Sequence, residues 1–447
     1  MQIQVSLKIE ISASANLTEM EQHIQESGQH MMREAFKQII RKREEEQIQC
    51  PACAGKSYRL EGTTRRVIAT VFGRVEVPRR RFRCQQCLHR WCPANRLFDP
   101  LKGGVISGPL QEAAMLAGCS WPYRVAARLL KQLSGAQISA EEIRLVLNRC
   151  GKHRAGQQQE EAERVCATPR AVAPSPDQGK PPILVGLDGG WVGSREQRGG
   201  MEGKVAVVSS QMQDLPMPTY STTFSWSQRG GPRRAPKQRH RLASRKYVAT
   251  FASSAQLGQQ AEAAAQTLSQ DASRPVVVVA DGANWIKTEQ ARHFPQATCI
   301  LDWAHLWREV SHAIRVAARA KSLSPQDRDA LLSRHQSWLW YGNVDQAVQG
   351  LRTLATGLPP ESRDVLQKAI TYLVNQRPWI GSYENWRKQG YPVGSGMIER
   401  AVAIVINRRM KKQGMRWKRP NATAMVALRA DLLNEDWTKP LPLRSFP

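Results

Sequence analysis

Two short apolar segments that each end in an aspartate constrain the fold of this chain most strongly. Residues 182–188 read Pro-Ile-Leu-Val-Gly-Leu-Asp, and residues 275–281 read Pro-Val-Val-Val-Val-Ala-Asp. Continuous apolar runs of this length that follow a proline are typical of buried strands. The repeated pattern predicts an α/β domain that carries Asp188 and Asp281 at the carboxyl ends of two strands.

The charge of the chain indicates the class of its partner. Its 447 residues include 65 Lys and Arg against 38 Asp and Glu, a net charge of +27. Such an excess favours a polyanion, either nucleic acid or an anionic membrane. The longest apolar runs are only strand-sized, and no secretion signal is visible at the N-terminus. We therefore expect a cytoplasmic protein of two or three domains that binds nucleic acid and no membrane.

A pair of C-x-x-C motifs predicts a metal site. The motifs comprise Cys50, Cys53, Cys84 and Cys87. The residues between them alternate like short strands joined at Gly62 and Gly73. Because each motif supplies two thiolates, this arrangement predicts a tetrahedral four-cysteine zinc ribbon over residues 48–100. Four protein ligands leave no open position, so we expect a structural zinc.

Other interpretations of the ribbon stay open at this point. The thiols could form a redox pair or be free and buried, and His89 or Cys92 could replace one ligand. The arginine-rich segment 79–83 gives the ribbon a basic edge. That edge suits phosphate contacts, and a solvated charged strand is the alternative.

Helical patterns flank the ribbon. An N-terminal element of residues 1–47 begins with a strand-like alternation and continues as a charged helix suited to self-association. Residues 101–153 predict three short helices with basic positions, which suits a helix-turn-helix-like DNA-binding module or an ordinary helical bundle. Residues 154–181 are rich in Gln, Glu, Pro and Ser and predict a linker.

A third acidic candidate lies near the C-terminal end, on a helix predicted from about Met397 to Lys412. At about 100° per residue, Glu399 shares one face of this helix with Val402, Ala403, Ile406 and Met410. A carboxylate on an apolar face is costly to bury without a positive partner. It can stabilise the helix N-terminus, pair with an arginine or bind a metal.

The three acids together predict a metal-dependent site. Clustered carboxylates repel one another unless divalent cations neutralise them, and magnesium prefers oxygen ligands. Two such ions about 4 Å apart can activate a water or 3′-hydroxyl and stabilise the leaving oxygen of a phosphodiester. The order of strand Asp188, strand Asp281 and helix Glu399 therefore predicts phosphoryl transfer with two magnesium or manganese ions.

Four motifs in this region carry a family resemblance. They are Leu187-Asp-Gly-Gly-Trp191, Ala280-Asp-Gly-Ala-Asn-Trp285, Ile300-Leu-Asp-Trp-Ala-His305 and Gly394-Ser-Gly-Met-Ile-Glu399, and Gly414-Met-Arg-Trp417 follows them. In this order they resemble the ISKra-type insertion-sequence transposases, which are bacterial relatives of the Mutator-like DDE transposases. The resemblance covers about residues 180–430 and does not extend to the N-terminal part.

The resemblance implies a multi-domain α/β protein with a ribonuclease H-like catalytic domain over residues 182–434. A helical insertion at about 320–390 precedes Glu399, and a tail covers 435–447. Asp188, Asp281 and Glu399 would be the catalytic triad, and His305 would contact the scissile phosphate. A helix-surface or core role is the alternative for His305. Cys299 and Asp302 are further candidates near the site, Asp302 also as a metal ligand.

We also expect a DNA-binding surface beyond the triad. Its predicted residues are Arg400, Arg408, Arg409, Lys411, Lys412, Arg416 and Trp417. Trp417 could equally be a packing residue. The basic loop 229–246 could bind a phosphate backbone or become ordered only on DNA.

The resulting hypothesis is a DNA transposase that binds double-stranded element ends as a homodimer or higher oligomer on the bacterial nucleoid. It would cleave the strands and join them to target DNA. A catalytically silent DNA-binding or targeting protein and a structure-specific nuclease are the alternatives.

Overall fold

The structure is a computed structural model that describes residues 3–46, 48–98, 105–168, 180–215, 239–269, 271, 273–412 and 414–438. The chain is mixed α/β, and its two compact units are Met1–Cys150 with Asp436–Pro447, and Gly151–Glu435. None of the helices in these ranges combines the length and the apolar composition needed to cross a bilayer.

The first unit begins with a long helix, α1 (Leu17–Glu46). Residues 3–16 form no strand, so the predicted N-terminal strand is wrong. An alternating pattern becomes a strand only where a neighbour pairs its backbone groups. The sheet of this unit contains only its own three strands among the described residues, and therefore offers this segment no such neighbour.

That sheet is the ribbon, built from β1 (Tyr58–Thr70), β2 (Gly73–Cys84) and β3 (Arg90–Trp91), with a short helix α2 (Asn95–Phe98) after it. The strands are antiparallel, in the order β1-β2-β3. Gly73, at φ +113°, makes the hairpin turn. Gly62 does not form the predicted turn. It lies within β1 at a β-bulge, where the register with β2 shifts.

Three helices follow the ribbon, as the sequence predicts. They are α3 (Gly108–Ser120), α4 (Tyr123–Ser134) and α5 (Ala140–Ala167). The third helix continues through 154–167, so the first half of the predicted linker is helical. Its polar side chains are anchored: Arg154 forms an ion pair of 2.6 Å with Asp431, and Gln158 Nε2 donates to the same carboxylate at 2.8 Å.

A second, larger sheet forms the centre of the second unit. Its strands are β4 (Ile183–Ser194), β5 (Gly200–Leu215), β6 (Arg239–Thr250), β7 (Val276–Ala280), β8 (Thr298–Leu301) and β9 (Arg416–Trp417). The order is β6-β5-β4-β7-β8, and β9 pairs with the far end of β4. The β6/β5 and β5/β4 pairs are antiparallel, whereas the β4/β7 and β7/β8 pairs are parallel. Of the predicted basic loop, 239–246 belongs to β6 and the rest lies outside the described residues.

Helices cover this sheet and add a helical layer beyond it. They are α6 (Ser254–Leu268), α7 (Asn284–His293), α8 (Trp303–Ala320), α9 (Pro325–Trp340), α10 (Val344–Ala355), α11 (Pro360–Gln376) and α12 (Tyr383–Lys388). The last four lie within the stretch where the sequence predicts a helical insertion. One apolar core joins them to β4, β7 and β8.

The predicted Glu399 helix is present, and it changes its geometry along its length. It begins as α13 (Gly396–Val402), continues as a π-helix (Ala403–Asn407) and ends as α14 (Arg408–Met410). The last helix, α15 (Arg419–Leu433), packs against it. The buried Arg429 of α15 donates to the carbonyl oxygens of Ile404 and Val405 in the π-helical turn. The buried guanidinium thus binds the backbone of the π-helical turn directly.

Candidate active site and metal centre

Strand register brings three aspartates to one level at the edge of the sheet. β4 pairs Gly186 with Val279, and two further residues along this register set Asp188 opposite Asp281. β7 pairs Ala280 with Leu301, so the next residue sets Asp281 opposite Asp302. Neighbouring strands lie about 4.8 Å apart. Asp281 and Asp302 directly follow β7 and β8, whereas Asp188 lies inside β4, which runs on to Ser194, so the prediction that Asp188 ends its strand is wrong. The three acids lie just beyond the point where the parallel pairing of these strands ends.

Two glycines allow helix α13 to approach this edge closely. A Cβ on Gly186 would lie 2.9 Å from Ile398 Cβ, and one on Gly190 would lie 2.8 Å from Val402 Cγ1. Both distances are shorter than side chains tolerate, so larger residues would push the helix away. Asp188 lies between these glycines and shares their face of β4, because side chains alternate along a strand. The Glu399 helix is thereby seated against the strand that carries Asp188.

The orientation of Glu399 differs from the sequence prediction. Ile398, Val402 and Ile406 are buried against the protein, whereas Glu399 is exposed and not on a buried apolar face. The buried face of α13 consists of Ile398, Ala401 and Val402, and at about 100° per residue Glu399 lies at the edge of this face and not at its centre. An exposed carboxylate at the edge of the helix needs no buried positive partner and can bind a cation.

Asp302 joins this helix to strand β8. Its Oδ1 accepts the backbone N–H of Ser395 at 2.8 Å, and its Oδ2 accepts the backbone N–H of His305 at 2.9 Å. Oδ2 also forms a short contact with Nδ1 of the His305 ring. Asp302 itself is only 1% exposed. One buried carboxylate thus starts helix α8, orients the imidazole and fixes the turn before α13.

Ser395 completes the link from Asp302 to Glu399. Its Oγ donates to Glu399 Oε1 at 3.0 Å. One chain of hydrogen bonds therefore runs from Asp302 through Ser395 to Glu399. The ligand atoms of Asp302, His305 and Glu399 all lie within 4.8 Å of one another. This Asp/His/Glu group could hold a metal ion. Sequence patterns had identified all three residues of this group as candidates, but they did not predict the role of Ser395.

The electrostatics of Asp188 show that the acids act on one another. Burial raises the pKa of Asp188 to about 6, although the N–H of Gly189 opposes the shift. The carboxylates of Asp281 and Glu399 contribute to this raised pKa, and His305 opposes it. Asp188 is therefore electrostatically coupled to all three other predicted catalytic residues. Such a cluster is stabilised by a divalent cation at neutral pH.

Helix α11 of the helical layer reaches the same edge of the sheet. Gln376 Nε2 donates at 3.0 Å to the carbonyl oxygen of Gly282, the residue after Asp281. Gly282 has a φ of +82°, and Asp281 Oδ1 accepts the N–H of Ala283 at 3.0 Å in the same turn. Burial and the charges of Glu309, Asp281 and Asp302 raise the pKa of Tyr372. Sequence patterns did not single out these α11 residues, because only the fold brings them to the turn.

Cys299 has a packing role in this arrangement. It lies on β8 before Asp302, it is partly buried against the apolar core, and burial raises its thiol pKa to about 11. Its Sγ contacts the carbonyl oxygen of Ala297 at 3.5 Å. Of the two further candidates near the site, Asp302 is therefore the one that hydrogen-bonds to other residues of the site.

The predicted DNA-binding residues separate into two groups. Five are exposed, namely Arg400, Arg408, Lys411, Lys412 and Arg416. Arg409 is 1% exposed and Trp417 is 8% exposed, so the prediction of direct DNA contacts by these two side chains is corrected. The Arg409 guanidinium stacks 5.4 Å from the Trp417 ring, and Trp417 Nε1 donates to the carbonyl oxygen of Met410 at 3.1 Å. Both side chains pack the end of the helix against β9.

The first unit contains the predicted four-cysteine group. Cys50 Sγ lies 3.6 Å from Cys87 Sγ, Cys53 Sγ lies 3.5 Å from Cys84 Sγ, and all four sulfurs are within 4.8 Å of one another. Tetrahedral zinc with sulfur ligands at about 2.3 Å separates sulfurs by about 3.8 Å, which this group fits closely.

Backbone geometry supports a metal centre over free thiols. Ala54 and Leu88, which each follow the second cysteine of a motif, have φ of +56° and +58°. Without metal the thiols share their protons unevenly: backbone N–H groups of Cys87 and Gln86 lower the pKa of Cys84 to about 7, whereas, although the N–H of Gly55 opposes the rise, contacts with the other thiols raise the pKa of Cys53 to about 12. His89 stacks on Trp91 and Cys92 packs against the apolar core of the ribbon, so neither alternative ligand belongs to the cluster.

A scan against protein-family models finds no match for this chain, and a search of curated proteins finds no similar sequence.

Proposed function

We propose that this protein is a DNA transposase of the DDE type, with a ribonuclease H-like catalytic domain. The mixed sheet supports this proposal, because three antiparallel strands are followed by two parallel ones and the acids lie just beyond the point where the parallel pairing ends. The ordered motifs that resemble ISKra-type transposases also favour it. The helical layer precedes the Glu399 helix in the chain, as that resemblance implies.

Two observations carry the proposal: the ligand atoms of Asp302, His305 and Glu399 lie within 4.8 Å of one another, and Asp188 interacts electrostatically with Asp281, His305 and Glu399. Their donor atoms are carboxylate oxygens and one imidazole, which suit magnesium or manganese. The raised pKa of Asp188 and the exposure of Glu399 both fit a site that receives cations. When bound there, two such ions supply activation of the attacking oxygen and stabilisation of the leaving oxygen.

The side chains of this chain then have separate tasks. Asp188, Asp281 and Glu399 would hold the ions. Asp302 holds Nδ1 of His305, which leaves Nε2 as the ring nitrogen that can meet a phosphate oxygen. The five exposed basic residues on and after the Glu399 helix are suited to bind the DNA backbone. The zinc ribbon and the helices of the first unit would bind double-stranded element ends, in a homodimer or higher oligomer.

Strand cleavage and joining test this proposal. Purified protein is incubated with manganese or magnesium, a labelled duplex that carries the DNA flanking its own gene, and a supercoiled target plasmid. We expect nicking at the element end and covalent joining to the plasmid. Glu399→Gln should abolish both steps and keep DNA affinity, because the variant removes a metal ligand and no basic residue.

Three other outcomes would contradict part of this proposal or indicate one of the alternative functions. Undiminished cleavage by Glu399→Gln would exclude the triad. Cleavage of the labelled duplex without joining would indicate a structure-specific nuclease. Salt-sensitive DNA binding without cleavage in either metal would indicate a targeting or regulatory protein.

A further inference from the structure

The three strands of the zinc ribbon bring three arginines into one row. The antiparallel register sets Arg59 of β1 opposite Arg83 of β2, and Arg83 opposite Arg90 of β3. Directly opposed residues of antiparallel strands share a face of the sheet. Arg81 lies two residues before Arg83 and projects from the same face. We call Arg59, Arg81, Arg83 and Arg90 the arginine face.

A single carboxylate lies among these four cations. Glu61 is on β1 at the bulge between Leu60 and Gly62, and its side chain is 14% exposed. Its oxygens lie 2.9 Å from Arg90 Nε, 3.7 Å from Arg83 Nη1 and 4.0 Å from Arg81 Nε. Arg59 forms no salt bridge with any residue of the described ranges. The arginine face therefore keeps a net charge of +3 around its central acid.

This arrangement is unlike a structural ion pair. Like charges set directly opposite each other destabilise a sheet, and one glutamate needs only one arginine for neutralisation. Arg80 of the same ribbon shows the opposite balance, because one arginine there meets two acids of α1, Glu44 at 2.7 Å and Glu45 at 3.7 Å. On the arginine face, Arg59, Glu61, Arg81 and Arg90 instead line an open cavity of about 510 Å³. An anionic ligand would offset the repulsion.

The opposite face of the ribbon has a different composition. Tyr58, Phe82 and Trp91 form an aromatic cluster there, with ring centroids 5.2 to 6.2 Å apart. Packing of this cluster holds the three strands together. The arginines of the other face therefore project from a rigid backbone. Glu61 further limits the freedom of three guanidinium groups before any ligand arrives, which lowers the entropic cost of binding.

We propose that the arginine face binds the phosphate backbone of duplex DNA. Guanidinium groups bind phosphate oxygens in bidentate geometry, and a row across three strands offers contacts to successive phosphates. The choice of DNA over other polyanions rests on the proposed transposase function. The phosphate site itself depends only on the ribbon.

Binding of a labelled DNA duplex over a series of salt concentrations tests this site. The full-length, zinc-loaded protein carries Asp188→Asn, and no divalent metal is added, so that cleavage plays no part. Arg59→Gln with Arg90→Gln is compared with Arg41→Gln with Arg65→Gln. The control removes the same charge from exposed arginines of the first unit, each of which pairs with one acid.

We expect the arginine-face variant to bind at least tenfold more weakly at low salt. Its slope of log affinity against log salt should fall by about 1.8, because each lost phosphate contact accounts for about 0.9. The control should keep the parent slope. Bound zinc and the circular dichroism spectrum show whether each variant is folded.

Two results would overturn the inference. If the arginine-face variant and the control lose the same affinity and slope, the arginines contribute only general charge. If the parent protein prefers an RNA duplex and the arginine-face variant loses that preference, the ligand is RNA and not DNA. Both readouts are independent of catalysis, so absence of strand cleavage would count against the transposase function alone.

Discussion

The buried carboxylate of Asp302 accepts the backbone N–H of Ser395 at 2.8 Å, across 93 residues of sequence. This bond joins the end of β8 to the turn that starts the Glu399 helix. The backbone N–H of Trp303 donates to the carbonyl oxygen of Val393 at 3.1 Å beside it. The third acid of the site is therefore positioned from the strand end that neighbours Asp281.

Asp302→Asn tests this positioning role. The amide can accept one of the existing hydrogen bonds, but its NH₂ group would oppose an N–H at another and the charge that holds His305 is lost. Substitution of groups that support ligands typically costs about 10–100-fold in metal affinity or activity. We expect strand cleavage to fall in this range and to need more manganese, with DNA affinity unchanged.

Asp327→Asn is the matched control, because Asp327 lies in the first turn of α9 and is exposed. It should cleave like the parent protein. An Asp302→Asn variant with a parent-like manganese dependence would show that the network does not position Glu399.

The raised pKa of Asp188 predicts a pH-dependent stability. Its folded pKa of about 6 exceeds the ordinary value of 3.8, so the folded state holds its proton more tightly than the unfolded chain. Without metal, ionised Asp188 therefore destabilises the fold at neutral pH, and this loss shrinks as the pH falls from 6 towards 3.8. With allowance for partial exposure, we expect Asp188→Asn to stabilise the metal-free protein by on the order of 1–2 kcal/mol at pH 7.5.

Thermal unfolding of metal-free protein at several pH values measures this difference. The advantage of Asp188→Asn should shrink towards pH 4, and manganese should reduce or reverse it at pH 7.5 because the variant lacks a ligand. Asp271→Asn is the control: Lys180 and Ser273 hold the pKa of this exposed carboxyl well below its usual range. An equal melting temperature of the parent protein and Asp188→Asn at every pH would contradict the coupled-acid interpretation.

The four-cysteine group predicts one zinc ion per chain. Cys84→Ser should lose stoichiometric zinc, because one of four thiolates is replaced by a poor ligand. Cys92→Ser should keep it, since Cys92 packs against the apolar core outside the cluster. Metal released by a thiol reagent and measured with a chromogenic chelator gives both values. Loss of zinc in Cys92→Ser would restore the alternative ligand set.

The close approach of α13 to β4 predicts that Gly190 tolerates no larger side chain. A methyl group there would lie 2.8 Å from Val402 Cγ1 and 3.1 Å from Ile406 Cδ1. Gly190→Ala should therefore displace the Glu399 helix, cost about 1–3 kcal/mol of stability and lower cleavage more than tenfold.

Gly156→Ala provides the control, because no atom lies within 4 Å of the added Cβ on helix α5. That substitution should be neutral or stabilising. Parent-like cleavage by Gly190→Ala would mean that the distance between β4 and α13 does not control the site.

Much of the site was visible in local patterns. The apolar runs before Asp188 and Asp281 predicted strands, because burial on both faces requires a continuous hydrophobic sequence. The spacing of Cys50, Cys53, Cys84 and Cys87 predicted their grouping, since a hairpin returns two knuckles to one point. The three helices after the ribbon were likewise present in the sequence pattern.

The errors have physical causes of the same kind. Residues 3–16 alternate like a strand, but no strand of the described ranges pairs with them. Residues 154–167 have the composition of a linker but gain tertiary anchors such as Arg154 with Asp431. Arg409 has the charge of a DNA contact and is buried on Trp417. In each instance the presence or the absence of a neighbour in space decided the structure against the local preference.

By itself, the sequence determined the residue types, the order of the elements and the acids that follow the two apolar runs. Only the tertiary structure decided that Asp302 lies level with Asp188 and Asp281, that Glu399 is exposed beside His305, and that three ribbon arginines share one row. Local patterns fix the conformation of a segment through its own backbone and burial. Strand register and helix approach depend on contacts between distant segments, which no single stretch of sequence contains.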